Sequence, residues 1–167
     1  MERLQRWMRN VFGGWFQLRR CFPADLLDAM AQAISEGERR HLGEVRFAVE
    51  SRLAPGAVWS GLTARQRAHQ VFAQLGVWDT EHNTGVLIYV LLAERRIEIV
   101  ADRGIAARVT AAEWEAICTG MRECYARGQW RDGSLRGIAA IIALLARHFP
   151  GDGQANPDEL PDRPVLL

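Results

Sequence analysis

The most constraining feature of the sequence is an unbroken apolar segment, in which every residue from Val86 to Leu92 is apolar. A strand that faces water on one side alternates apolar and polar residues, whereas a strand without alternation is covered on both faces. After a tight connection at residues 93–95, the segment RIEIVAD predicts a second strand that returns antiparallel to the first. The apolar segment therefore predicts the central strand of a sheet with helices on both faces.

Periodic patterns on either side of this hairpin predict the other elements. The segment EVRFAVE, residues 44–50, alternates apolar and charged residues and predicts a half-exposed strand. Four segments repeat apolar residues at helical spacing, and two of them begin with capping boxes, Thr63 with Gln66 and Thr110 with Glu113. The order helix, strand, helix, strand, strand, helix, helix predicts an α/β fold, a three-layer α/β/α sandwich with a small mixed, Rossmann-like sheet.

Strand directions predict which loops meet. A helical crossover makes the first two strands parallel, and the short connection makes the third antiparallel to the second. The N-terminal ends of the first two strands and the C-terminal end of the third then share one edge of the sheet. We therefore expect the loop from Asp79 to Thr84 to lie near Asp102, with Glu44 as a more distant neighbour.

The chain divides into three parts by composition. Residues 1–21 form a basic, aromatic N-terminal arm, residues 22–150 form the α/β/α domain, and residues 151–167, rich in Gly, Pro and Asp, predict an extended C-terminal tail. The aromatic side chains of the arm favour packing on the domain or on a second subunit, and the alternative is contact with an anionic membrane surface. These side chains are Trp7, Phe12, Trp15 and Phe16.

Composition excludes several kinds of chemistry. The 21 basic residues are all arginine, which rules out a Schiff-base lysine and a P-loop lysine, and the net charge of +1 selects no nucleic acid. The 3 cysteines form no C-x-x-C pair, which favours a reducing cytosol. The sequence shows no apolar core of a signal peptide and no transmembrane window, so we expect a cytoplasmic protein, either soluble or peripheral to a membrane.

The predicted sheet edge carries oxygen ligands. The candidate metal ligands are Asp79, Glu81, Asn83 and Asp102, and such carboxylate and amide oxygens are typical of Ca²⁺ or Mg²⁺ sites. A purely structural alternative explains the same residues. Asp79 would form an Asx-turn, Asn83 a left-handed turn before Gly85, and Asp102 a cap on the turn at residues 103–104.

Signals for catalysis are weaker. The sequence contains no G-x-S-x-G elbow, and its histidines are scattered, so the only catalytic candidates are Asp102 and Arg103, the latter to steady a phosphate charge. Cys118 lies within an apolar helical stripe and is predicted to be a packing residue. The adjacent Arg95 and Arg96 are expected to be solvated, with attraction of a phosphate as the alternative.

Several of these segments resemble the TPM domain family, which is named partly for a thylakoid acid phosphatase-like protein. They are GEVRFAVE, the string VFAQLGVWDTEHNTGVLIYVLLAERRIEIVADRGI, the helix around Trp114 and the ending LARHFP. The resemblance covers about residues 22–150, and residues 80–104 are its most specific part. It implies an α/β/α sandwich, and it transfers a candidate cation site to Asp79, Asn83 and Asp102, whereas Glu81 is a candidate from its position alone.

The resemblance also implies a choice of functions, since family members are linked to acid phosphatase activity, divalent cation binding and accessory roles in photosystem repair or membrane complexes. Many members carry a signal peptide and a C-terminal membrane helix. This sequence shows neither, so we expect a soluble bacterial variant without the photosynthetic role. The hypothesis favoured by the residues is an accessory or interaction module that binds Ca²⁺ or Mg²⁺.

Two alternatives remain open. One is a weak metal-assisted acid phosphatase that acts on phosphomonoesters, in which Asp79 or Asp102 holds the metal. The other is a membrane-surface assembly factor that acts through the N-terminal arm. The expected partner is a protein or a membrane surface rather than nucleic acid, with self-association through the arm as a further hypothesis.

Overall fold

In the computed structural model, which describes residues 2–12, 15–151 and 160–167, helices cover both faces of one sheet. The strands are β1 (Glu44–Glu50), β2 (Gly85–Leu91), β3 (Arg96–Ala101) and β4 (Val165–Leu166). The helices are α1 (Glu2–Phe12), α2 (Trp15–Cys21), α3 (Ala24–Glu38), α4 (Pro55–Trp59), α5 (Ala64–Gln74), α6 (Arg103–Ala106), α7 (Ala111–Ala126) and α8 (Trp130–His148). The architecture confirms the predicted α/β/α sandwich.

The sheet is mixed, with the strand order β3-β2-β1-β4. β1 and β2 are parallel, with Glu44 opposite Gly85, and β2 and β3 are antiparallel, with Val86 opposite Ala101. The directions of the first three strands are therefore as predicted. The sequence analysis missed β4, a parallel neighbour of β1 that lies within the predicted tail, because a strand of two residues has no periodicity to recognise.

Two hydrophobic cores explain why β2 shows no alternation. Val86, Ile88 and Val90 point into a core with α3, α7 and α8, whereas the intervening residues Leu87 and Tyr89 point into a second core with α5. All seven residues of β2 are buried. Because each face of the strand is covered by helices, apolar residues are required at every position.

β1 corrects the prediction of a half-exposed strand, since all seven of its residues are buried. Glu44, Arg46 and Glu50 share the face of Ala48, and they are only 2%, 7% and 8% exposed. The C-terminal segment covers this face, where the guanidinium of Arg46 donates hydrogen bonds to the carbonyls of Pro161 and Arg163. A distant part of the chain thus buries side chains whose alternation with apolar residues predicts exposure.

Local signals for helix ends agree closely with the structure. Both capping boxes form, at the N-termini of α5 and α7, and left-handed glycines, Gly76 and Gly128, follow their C-termini. Two differences are short helices in predicted loops: α4, which has Pro55 in its first turn, and α6, which Asp102 caps. The last helix begins at Trp130, slightly before the predicted start near residues 132–134.

The described side chains of α1 and α2 pack on the rest of the domain. Leu18 is fully buried in the first core, and Trp7 packs against the second. The guanidinium Nε of Arg6 and the amide of Asn10 both donate hydrogen bonds to Oε1 of Glu94, at 2.8 and 3.1 Å. The other aromatic side chains of the arm, Phe12, Trp15 and Phe16, lie outside the described part of the structure.

The division into arm, domain and tail stays a prediction. Across the described ranges, none of the helices has both the length and the apolar character that crossing a membrane requires.

Candidate functional site

The strand order brings the predicted site residues toward one edge of the sheet, which we call the loop edge and define as residues 79–84 with residues 102–104. The backbone N–H of Asp102 donates to the carbonyl of Gly85 at 2.9 Å, and the N–H of Gly104 donates to the carbonyl of Asn83 at 3.1 Å. Side chains meet as well, since Nε of Arg103 donates to Oδ1 of Asn83 at 3.2 Å. Asn83 and Asp102 therefore lie at adjoining positions, as the strand directions predict.

Within the loop, several polar groups form the hydrogen bonds and backbone conformations of a turn. Asn83 adopts a left-handed conformation with φ of 53°, as expected, and Oγ1 of Thr80 accepts a hydrogen bond from the N–H of Thr84 at 3.0 Å. Asp79 and Glu81 are both exposed to solvent. The described hydrogen bonds of Asp102 join it to Gly85 and to residues of α6, Arg103 among them, rather than to Asp79. The loop edge is thus partly a structural turn, as the alternative interpretation of these residues predicts.

Asp102 is the exception, because only one of its two carboxylate oxygens accepts a hydrogen bond from the described residues. Oδ1 accepts a hydrogen bond at 2.7 Å from the N–H of Arg103 and caps α6. Oδ2 is buried and, within the described ranges, has no hydrogen-bond partner. A buried carboxylate oxygen without a partner costs about 1–3 kcal/mol or more, so it is normally satisfied by a donor, a proton or a cation.

Two glycines permit the loop to lie this close to the sheet. A Cβ atom on Gly85 would be 1.9 Å from the carbonyl oxygen of Val77, and one on Gly104 would be 2.6 Å from the carbonyl oxygen of Asn83. Both contacts are with backbone atoms, which cannot rotate away as a side chain can. Gly85 and Gly104 are therefore required by close approach, a role that the sequence analysis did not recognise.

A buried acidic cluster lies beneath the same end of β1. Oε1 of Glu38 accepts a hydrogen bond from the N–H of Val45 at 2.9 Å, and the N–H of Glu44 donates to the carbonyl of Thr84 at 3.2 Å. Burial, together with the nearby carboxyl groups of Glu44 and Asp162, raises the pKa of Glu38 to about 9 against the opposing effect of the hydrogen bond from Val45. Glu38 is therefore protonated at neutral pH.

The burial of Glu38 was not predicted, because residues that it meets, such as Asp162, are distant in the chain and leave no local pattern. Among the described residues, no three His, Cys, Asp or Glu side chains lie together so that they could hold one metal ion. Any cation at the loop edge would therefore rely on amide, carbonyl or water oxygens in addition to carboxylates.

The cysteines and His41 are buried, which opposes their use as reactive groups. Cys21, Cys118 and Cys124 are all buried and reduced. Burial raises the pKa of Cys118 to about 11 and lowers that of His41 to about 4. Because the Nδ1 atom of His41 accepts a hydrogen bond from the N–H of Gly43 at 3.2 Å, this histidine is neutral and holds the turn before β1.

The opposite end of β1 carries a buried polar network that the sequence analysis also missed. The guanidinium of Arg67 donates two hydrogen bonds to the carboxylate of Glu50, at 2.9 and 3.1 Å, and the hydroxyl of Tyr89 donates to the same carboxylate at 2.5 Å. Burial and this carboxylate raise the pKa of Tyr89. Every carboxylate oxygen of Glu50 is thereby satisfied, in contrast to Asp102 at the loop edge.

The fold and the loop edge together define a class of protein, the small α/β/α domains with a mixed sheet and an oxygen-rich edge. A family model described as the TPM domain matches residues 21–144, so the chain belongs to the TPM domain family. This confirms the resemblance seen in the sequence.

A solved structure shows the same fold. The BA42 protein from the psychrophilic bacterium Bizionia argentinensis sp. nov., determined by NMR, is 27% identical and superposes with a TM-score of 0.75. The match covers 86% of this chain and 94% of BA42. A comparison with curated protein sequences gave no significant match.

Proposed function

We propose that this TPM domain is an accessory or interaction module that binds a divalent cation, Ca²⁺ or Mg²⁺, at the loop edge. The observation that carries the proposal is the buried Oδ2 atom of Asp102, which has no hydrogen-bond partner among the described residues. A cation would satisfy this oxygen without disturbing Oδ1, which caps α6. The chemistry of these oxygens suits a hard cation, since such ions take carboxylate and amide oxygens and keep several waters.

The other ligands would come from the loop. Asp79 and Glu81 are exposed carboxylates, and Asn83 presents an amide oxygen that already accepts a hydrogen bond from Arg103. The guanidinium of Arg103 opposes a second positive charge at this position. We therefore expect a weak site, with dissociation constants of roughly 0.1–1 mM, the range of extracellular and low-affinity Ca²⁺ modules. A weak site suits conditional recruitment of a partner more than permanent structural support.

A titration of the ¹⁵N-labelled protein with CaCl₂ or MgCl₂ tests the proposal. We expect saturable shifts of the backbone amide signals of residues 79–84 and 102–104. The variant Asp102→Asn should lose these shifts while it stays folded, because asparagine caps helices as well as aspartate does. The matched control Asp132→Asn changes an exposed aspartate on α8 and should titrate like the wild type. Absence of loop-edge shifts at millimolar metal would refute the proposal.

A metal-assisted acid phosphatase is the first alternative, and the exposed guanidinium of Arg103, which donates a hydrogen bond to Asn83 at the loop edge, favours it. In this hypothesis Asp102 holds the cation, which supplies Lewis-acid polarisation, and Arg103 stabilises the charge of the phosphate. Hydrolysis of a generic phosphomonoester should then be lost in Asp102→Asn. Full activity in that variant would assign the hydrolysis to another site or to a contaminant.

A membrane-surface assembly factor is the second alternative. Leu4 and Met8, one turn apart on α1, are 59% and 46% exposed, which is unusual for large apolar side chains. The double variant Leu4→Ser with Met8→Ser leaves the buried Asn10 and Leu18 in place and should abolish binding to anionic liposomes. Unchanged liposome binding would exclude this alternative.

A further inference from the structure

At the end of the sheet opposite the loop edge, a cavity of about 380 Å³ opens between the β2–β3 hairpin and helices α2, α7 and α8. We call it the arginine pocket, and its principal lining residues are Leu92, Arg95, Arg96, Arg122, Tyr125 and Trp130. We propose that the arginine pocket binds a small organic anion whose acidic group is attached to a flat apolar ring. This site is separate from the cation site proposed above and does not depend on it.

The first argument is charge. Three arginines line the pocket, and no carboxylate is among its lining residues in the described part of the chain. The charged residues that line the cavity in the described part of the chain are thus all positive; Glu115 forms an ion pair with Arg122, and Arg96 also borders a groove lined by Glu94 and Glu98. Within a concave site such an excess attracts an anion, although the whole chain carries a net charge of only +1.

A second acidic side chain near the hairpin is already occupied. Glu94 accepts hydrogen bonds from Arg6 and Asn10 of α1, and it does not line the pocket. Glu94 does border two neighbouring grooves together with Arg96, whereas Arg95 lines the arginine pocket. Guanidinium groups bind carboxylates and related oxyanions through paired hydrogen bonds, which makes such an acidic group the natural complement of this rim.

The second argument is the apolar floor. The rings of Tyr125 and Trp130 lie with centroids 4.6 Å apart and an interplanar angle of 33°. The hydroxyl of Tyr125 is hydrogen-bonded to Oγ of Ser134 at 2.7 Å, which fixes the ring, and Leu92 and Ile97 are buried beside it. A flat apolar ring packs well on such a surface, and the cavity has the size of ordinary small-molecule sites.

The third argument is position. The pocket lies at the carboxyl end of β2, which is parallel to β1, and ligands of open α/β sheets commonly bind outside the carboxyl ends of parallel strands. The turn that presents Arg95 is fixed, because the N–H of Arg95 donates to the carbonyl of Leu92 at 3.1 Å. The backbone that carries Arg95 therefore belongs to a tight turn and not to a long loop.

The test uses anilinonaphthalene sulfonate, an anion with a naphthalene ring whose fluorescence rises in apolar sites, and phenylnaphthylamine, its uncharged counterpart. We expect saturable single-site binding of the sulfonate to the folded wild type. The double variant Arg95→Gln with Arg96→Gln should weaken that binding at least about tenfold, since it removes two charge-assisted contacts. Binding of the uncharged ring should be nearly unchanged.

The matched control is Arg39→Gln with Arg40→Gln, an adjacent exposed arginine pair beyond the end of α3, which should alter sulfonate binding by less than about twofold. Equal sulfonate affinity in wild type and Arg95→Gln/Arg96→Gln would overturn the proposal, and so would an equal loss in the control. A measurement on the wild type alone is independent of any variant. Naphthoate should shift the indole N–H signal of Trp130, and an unmoved signal at saturating naphthoate would also overturn the proposal.

Discussion

The two ends of the sheet differ in both shape and charge. The loop edge is open and rich in oxygen atoms, and one buried oxygen of Asp102 lacks a described hydrogen-bond partner. The arginine pocket is concave, carries three guanidinium groups and rests on Tyr125 and Trp130. The difference follows from the antiparallel direction of β3, which begins at Arg96 and ends before Asp102. One short strand thus separates an edge with the carboxylates of Asp79, Glu81 and Asp102 from a pocket lined by three arginines, and the net charge of the chain does not reveal this.

The largest expected effect tests whether the loop edge depends on close backbone approach. In Gly85→Ala, the new Cβ would lie 1.9 Å from the carbonyl oxygen of Val77, so β2 or the loop must move. We expect a loss of about 3 kcal/mol in the free energy of unfolding, measured by urea denaturation. The control Gly120→Ala lies in open space on α7 and should raise stability by about 0.5–1 kcal/mol. Equal stability of the two variants would contradict this account.

The second prediction concerns the polar network at the opposite end. Glu50→Ala leaves the guanidinium of Arg67 and the hydroxyl of Tyr89 without their acceptor, and we expect it to destabilise the fold by about 3 kcal/mol. Loop-edge cation binding should persist at temperatures where the variant is folded. The exposed Glu123→Ala should change stability by less than about 0.5 kcal/mol in the same denaturation series. A Glu50→Ala protein as stable as the control would show that water replaces the network.

The third prediction concerns the pH dependence of the stability, to which the buried Glu38 near the loop edge contributes. Glu38 has a pKa of about 9 in the folded protein and about 4.5 when unfolded, so between these values the folded state holds a proton that the unfolded state lacks. Its contribution to stability is complete below pH 4.5 and is lost as the pH rises through about 9. Glu38→Gln should remove this loss, which we expect to be on the order of 2–3 kcal/mol between about pH 6 and about pH 9.

Thermal unfolding at several pH values measures this difference between the wild type and Glu38→Gln. The pKa of His41 is lowered to about 4, so its contribution is present above pH 6.5 and is lost as the pH falls from 6.5 toward 4. As the pH rises, the contribution of Glu38 to stability is therefore lost, whereas that of His41 is gained. Above about pH 7 the contribution of His41 no longer changes, so measurements there report on Glu38. Parallel pH profiles of the two proteins in that range would show that Glu38 is already ionised in the folded state.

The smallest effect distinguishes a cation from an anion at the loop edge. Arg103→Gln removes the positive charge that contacts Asn83 and keeps the backbone N–H that donates to Asp102. If the edge binds Ca²⁺, we expect about threefold tighter binding, consistent with one exposed charge interaction of roughly 0.6 kcal/mol. If it binds a phosphomonoester, the Michaelis constant should rise instead. Isothermal titration with CaCl₂ and a parallel activity assay give opposite answers for the two hypotheses.

The parts of the fold that follow from local pattern could be predicted. The apolar segment around Ile88 predicted a covered central strand, the capping boxes at Thr63 and Thr110 predicted two helix starts, and Asn83 was expected in its left-handed turn. The proximity of Asn83 to Asp102 was predicted from the strand directions alone. Whether those residues bind a cation stays a prediction, because a polar loop and a metal site use the same residue types.

What the sequence by itself determined is therefore the order, kind and direction of the main elements, since periodicity and capping act over a few residues. The tertiary structure alone decided the burial of Glu38, Arg46 and Glu50, the pairing of β4 with β1 and the enclosure of the arginine pocket. Each of these joins segments far apart in the chain. The burial and the pKa of a side chain depend on which distant groups exclude water from it, and a local sequence pattern does not show which groups those are.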